Sequence, residues 1–218
     1  EAALGLFAAL FENGLAPCSA EGVWALAPCD VLAGDPATFG EYSGNPVNWS
    51  SAFALYDLDL DGAPELILES GPVEKTISIF DAADGQVHYK ATTLSGNYSP
   101  VSSALWVYAT ESGSRRFFSV GTAGTGAGTV AFAYEIEPGL SVAEHFYSYY
   151  DVPDALGGNL YEVEGQSVSE EEYTAAYDAF FGSMEPVEQM LFTALGTDPL
   201  AAYEESAALY LAYFAAQR

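Results

Sequence analysis

Asp57, Asp59 and Asp61 stand on alternate positions of Tyr56-Asp57-Leu58-Asp59-Leu60-Asp61-Gly62-Ala63-Pro64-Glu65-Leu66, the spacing of a short loop that wraps a hard cation. Calcium takes roughly six to eight oxygens at about 2.3–2.6 Å. A short loop supplies them when alternate side chains point inward. Asp57, Asp59 and Asp61 provide carboxylates at the first, third and fifth positions, and Gly62 permits a backbone geometry that a Cβ would oppose. The carbonyl of Ala63 is then the next ligand, Pro64 fixes the exit of the loop, and Glu65 closes the shell. The predicted metal ligands are therefore Asp57, Asp59, Asp61, Ala63 and Glu65, and the predicted ion is a structural Ca2+. Without a cation these crowded carboxylates repel one another. The competing reading of the same residues is a solvated acidic hairpin turn.

An EF-hand would carry its bidentate glutamate at the twelfth position, here Leu68, and would lie between helices. Instead, short apolar runs of strand length flank this loop, Ala52 to Tyr56 before it and Leu66 to Leu68 after it, so the loop is expected to join two strands. A nine-residue D-x-D-x-D-G-x-x-E loop between strands resembles the integrin-type calcium loop of FG-GAP and VCBS-like repeats. The longer string from Phe53 to Leu68 is similar to the YDxDxDGxPELI segment of a family of secreted proteins and lipoproteins of Gram-positive gut bacteria. The sequence departs from such loops at Leu60, where they often carry glycine. The resemblance implies a cation site and an extracellular or cell-surface address. A propeller would need several such loops at regular spacing, and this sequence shows one.

Composition narrows the function classes. Of 218 residues, 50% are hydrophobic and 14% aromatic, enough for a sizeable core in a single domain spanning residues 1–218. The 31 acidic residues against five basic ones give a net charge of −26, which argues against nucleic acid and against anionic membrane surfaces. No apolar run reaches the ~18 residues of a membrane span. The run from Ala2 to Phe11 is too short and is preceded by no basic segment, so a leader or lipid anchor is expected to lie outside these residues. Cys18 and Cys29, each preceded by proline, are the two cysteines and are predicted to form a local disulfide in an oxidising compartment. The other reading is a pair of free buried thiols. A zinc site would have to recruit His88 and His145.

The elements that must position the loop follow from periodicity. Residues 1–50 read as a helix from Ala2 to Asn13, stopped at Gly14, and then an irregular segment broken by Pro17, Pro28, Pro36 and Pro46. Residues 51–168 read as an antiparallel β-meander. Its hairpin turns are expected at Asp81–Gly85, Glu111–Ser114, Pro138-Gly139 and Glu164-Gly165. Residues 169–218 read as helical. Ser169 with Glu172 is a capping-box pattern, a second helix is predicted over Pro186–Leu195, and a third begins at Asp198-Pro199. The predicted class is α+β, with a meander sheet, an N-terminal helix and two or three C-terminal helices.

Other residues carry weaker signals. The glycine-rich run Gly121–Gly128 lacks the lysine of a phosphate loop and reads as a hairpin loop. Trp24, Trp49, Trp106, Tyr161 and the run His145–Tyr150 offer flat rings that would stack on sugars, although such residues serve equally as strand and core material. Arg115 and Arg116 fall on opposite faces of a strand and are expected to make surface ion pairs rather than one anion clamp. No G-x-S-x-G or H-E-x-x-H pattern is present. The leading functional expectation is a secreted or cell-surface calcium-binding module, non-enzymatic, that binds a protein or a glycan. The alternative is an extracellular hydrolase with a structural calcium.

Overall fold

The structure, a computed structural model, describes residues 1–18, 22–39, 50–70, 76–94, 104–110, 115–125, 128–137, 139–150, 158–182 and 184–216. In chain order the elements are α1 (Ala2–Asn13), β1 (Leu15–Pro17), β2 (Trp24–Leu26), β3 (Leu32–Ala33), a 3-10 turn (Pro36–Thr38), β4 (Ser50–Tyr56), β5 (Glu65–Ser70), β6 (Thr76–Ala83), β7 (Gln86–Leu94), β8 (Ala104–Thr110), β9 (Arg115–Thr125), β10 (Gly128–Ile136), β11 (Val142–Tyr150), β12 (Leu160–Val163), β13 (Gln166–Val168), α2 (Glu170–Phe181), β14 (Met184–Gln189), β15 (Thr193–Ala194) and α3 (Pro199–Ala216). The fold is α+β. The chain forms two compact units, one built mainly from residues 1–93 and 191–218, the other from 94–137 and 142–190.

The first unit holds a sheet ordered β1-β2-β4-β5-β6-β7-β3, with β15 added against β4. Strand β5 lies in the middle, and all six of its residues are buried. Both of its faces are therefore covered, and its Glu-Leu-Ile-Leu-Glu-Ser sequence lacks the polar alternation of a strand with one wet face. Leu66 and Leu68 point to the face covered by α1 and α3, where they meet Phe7, Leu10 and Phe11 of α1, Phe53 of β4 and Tyr203 of α3. Aromatic contacts knit this core: Phe11 lies edge-on to Phe53 at 5.0 Å and tilted against Tyr203 at 4.6 Å, centroid to centroid. The buried Tyr203 hydroxyl donates to the carbonyl of Leu4 at 2.7 Å, tying α3 to α1. Helix α1 ends at Gly14 as expected, but with φ −104°, so a left-handed cap is not the reason for glycine. Close approach is. A Cβ there would fall 2.5 Å from Leu10 Cδ1 and 2.9 Å from Cys29 Sγ.

The second unit holds a sheet ordered β13-β12-β11-β10-β9-β8-β14, with α2 packed on it. Ser169 and Glu172 form the predicted capping box. The Ser169 hydroxyl accepts from Glu172 N at 3.2 Å, and the Glu172 carboxylate accepts from Ser169 N at 2.9 Å. Tyr177, Phe180 and Phe181 of α2 surround Tyr147 of β11 at centroid distances of 5.6–5.7 Å.

Several expectations require correction. The strands belong to two sheets, not one meander. The segment from 15 to 50, expected to be irregular, contributes the short strands β1, β2 and β3. Pro186–Leu195 is not a helix: β14 pairs with β8 and β15 pairs with β4. Strand β14 is an edge strand with a register shift between Pro186 and Glu188, the setting in which proline is tolerated in a sheet. The turn placed at Asp81–Gly85 is only Asp84-Gly85, both with positive φ (51° and 80°), the conformation that a two-residue hairpin turn demands. Glu164-Gly165 repeats it at 51° and 72°, as expected. The glycine-rich run is mostly strand, with Gly121–Thr125 pairing along β10 up to the Thr125–Gly128 partnership. The expected turn at 111–114, together with Trp49, Lys75, Pro46, Pro138 and Arg218, lies outside the described residues. Among the described residues, no helix is long and apolar enough to cross a membrane.

Candidate metal centre

The loop from Asp57 to Pro64 joins β4 to β5, as its flanking apolar runs predicted, and Tyr56 pairs with Glu65 at its neck. The neck is thus anchored on a central, buried strand. Within the loop, Asp57, Asp59 and Asp61 each place a carboxylate oxygen so that all three lie within 4.8 Å of one another. The chain holds them there with its own amides. Gly62 N donates to Asp57 Oδ2 at 3.1 Å, Asp61 N to Asp59 Oδ1 at 3.1 Å, and Ala63 N to Asp61 Oδ1 at 2.7 Å. Each aspartate thus uses one oxygen on the backbone and keeps the other for a different partner. Asp57 Oδ1 is shut off from solvent and has no hydrogen-bond partner in the protein. A buried acceptor left in this state is costly.

Two backbone conformations shape the turn. Gly62 has φ +91°, the left-handed geometry expected of it. Leu60 also has positive φ, 62°, and its side chain is 58% exposed. Leu60 is thus a leucine held in left-handed backbone, a strain of order 1 kcal/mol.

Glu65 behaves differently from the three aspartates. It is buried, and its Oε2 accepts from Leu58 N at 2.5 Å, so it buttresses the loop from beneath. Burial pushes its carboxyl up to about 8. The Leu58 amide opposes this, and the charges of Asp59, Asp57 and Asp81 add to it. Asp57 is also raised, chiefly by burial and then by Asp61 and Asp59, against the amide of Gly62. The arrangement can therefore gather a divalent cation at the three aspartates, with Glu65 immediately behind them. Ala63 sits half-buried at the exit, with its amide committed to Asp61.

A residue that sequence reasoning missed lies within reach of these charges. Tyr210 of α3 has a solvent-shielded hydroxyl with no hydrogen-bond partner. It lies in the field of Asp57, Glu65 and Asp61, and burial followed by these charges drives its phenol well above the usual range. The only signal was its seven-residue spacing from Tyr203, which puts both tyrosines on one face of a helix.

Cys18 and Cys29 do not form the predicted disulfide; both are free. The hairpin register explains why. Cys18 N donates to Val23 O, whereas Ala27 N still donates to Gly14 O, four residues further along the partner strand. Cys29 Sγ lies beside Gly14. Gly14 and Cys18 flank the two ends of β1, about 13 Å apart at about 3.3 Å per residue, so the two thiols are held at opposite ends of that strand and do not meet.

The remaining sequence candidates fall in structural settings. Arg116 forms a two-pronged ion pair with Glu135, as expected of a surface cation. His145 sits 3.4 Å from both Glu135 and Glu164 and packs on Phe180. Each of its ring nitrogens thus lies near a carboxylate, and Nε2 is buried without a hydrogen-bond partner. Trp24 uses its indole N–H on Gly196 O at 2.9 Å. Tyr149 of β11, Tyr161 of β12 and Tyr173 of α2 form a half-buried aromatic row. No protein family, no curated protein and no solved structure matches this chain.

Proposed function

We propose that this protein is a secreted or cell-surface calcium-binding module, non-enzymatic, in which the ion locks the loop from Asp57 to Glu65 and another surface binds a protein or a glycan. The observation that carries this reading is the convergence of three carboxylates within 4.8 Å, one of them with a buried oxygen that has no protein partner. Like charges gathered this closely raise the free energy of the native state unless a cation neutralises them. Asp57, Asp59 and Asp61 would bind through their side chains, Ala63 through its carbonyl, and Glu65 as the rear carboxylate. The loop is built from flexible side-chain carboxylates, which suits calcium better than magnesium, because magnesium demands near-ideal octahedral geometry and dehydrates reluctantly. A net charge of −26 concentrates cations around the molecule and keeps it soluble.

The test is thermal unfolding of the full chain in EDTA, in millimolar CaCl2 and in millimolar MgCl2. A ligand that binds the native state alone stabilises it by mass action. The melting temperature is expected to rise with calcium, fall with EDTA and move less with magnesium. Coincident curves in calcium and EDTA would sink the proposal.

A further inference from the structure

Helix α3 carries two tyrosines two turns apart, and their hydroxyls have different fates. Tyr203 is satisfied by the Leu4 carbonyl. Tyr210, about 10 Å further along the same face, is not. Less than 1 Å2 of its hydroxyl oxygen reaches solvent, and the same holds for Asp57 Oδ1. Helix α3 packs against β4, the strand that ends at Tyr56 beside Asp57. The acidic groups whose fields reach the Tyr210 hydroxyl are Asp57, Glu65 and Asp61. A solvent-shielded hydroxyl and a solvent-shielded carboxylate oxygen, neither with a protein partner, thus lie close enough for the carboxylate's charge to act on the hydroxyl. Each would be costly to leave unmade, and one bridging water needs just such polar partners.

We propose that Tyr210 is a positioning residue of the cation site: its hydroxyl holds a water of the bound ion, so that occupancy of the loop fastens α3 to the sheet. This rests on the calcium reading above and extends it from a local loop to a helix more than 130 positions away in the chain. Two linked consequences follow. Removing the hydroxyl weakens the ion, and adding the ion quiets the helix.

The experiment is calorimetric titration of CaCl2 into the full chain and into Tyr210→Phe, with amide hydrogen exchange of α3 followed with and without calcium. Wild type is expected to bind calcium and to slow exchange across 199–216. Tyr210→Phe is expected to bind about tenfold more weakly, about 1.4 kcal/mol, and to lose the calcium-dependent protection. In EDTA its stability should match or exceed wild type, because the change removes a buried hydroxyl without a partner. A purely structural role for Tyr210 would instead lower stability in EDTA. Equal calcium affinity in the two proteins overturns the role of Tyr210 and leaves the site standing. Unchanged exchange in α3 of wild type under saturating calcium does the same without any variant. Absence of calcium uptake by wild type overturns the site itself, and this inference with it.

Discussion

Replacing Glu65 with glutamine isolates the buried carboxyl beneath the loop. In the native state burial holds this group near 8, against an ordinary value of 4.5. The native state therefore keeps a proton that the unfolded chain releases. Below pH 4.5 both states are protonated and Glu65 carries no penalty. As pH rises from there, the unfolded state is favoured by about 1.4 kcal/mol per pH unit until the native carboxyl also ionises. At pH 7 the loss is about 3 kcal/mol, on the order of 5–10 °C in melting temperature for a chain of this length. Glutamine cannot ionise, and its amide oxygen can still accept from Leu58 N. In EDTA, Glu65→Gln is therefore expected to be more stable than wild type by about 3 kcal/mol at pH 7, with the gap closing toward pH 4.5. Urea unfolding of both proteins at pH 4.5, 6, 7 and 8.5 measures it. With calcium present the order should reverse, since the ion favours the carboxylate and the amide brings no charge. A difference between the two proteins that does not vary with pH would refute the argument, and would mean that Glu65 is solvated rather than buried.

Three other outcomes follow from the geometry. Asp59→Ala and Asp61→Ala should abolish calcium-dependent stabilisation yet be neutral or mildly stabilising in EDTA, because each relieves crowding among carboxylates. Equal destabilisation with and without calcium, read by melting curves, would make these aspartates simple turn formers. Tyr203→Phe should cost about 1–2 kcal/mol in denaturant unfolding, since it leaves the Leu4 carbonyl buried without its donor; no change would mean that α1 and α3 are not tied there. Thiol titration of unfolded protein prepared without oxidant should count two free cysteines, and a reductant should leave the melting temperature unchanged; a mass two hydrogens lower would restore the disulfide.

The local features of this protein are written in its sequence. Alternating aspartates before Gly62 announced the loop, and the apolar runs on either side announced that strands would carry it. Ser169 with Glu172, and Asp198 with Pro199, announced the starts of α2 and α3, because caps are satisfied by residues three positions away or fewer. Contacts between distant segments were beyond that reach. The Met184–Gln189 segment became a strand because the edge of β8 was there to pair with it, and tertiary pairing overrides weak helical preference. Cys18 and Cys29 looked close along the chain but are separated by the register of a hairpin, which no spacing rule reveals. Burial decided the rest. Glu65 reads as one more carboxylate of the loop, and only its position on a central strand turned it into a neutral acid under the site. Tyr210 reads as one more aromatic of an apolar helix, and only the packing of α3 onto β4 shielded its hydroxyl and set it in the field of Asp57, because desolvation and long-range electrostatics belong to the folded arrangement and not to the order of residues.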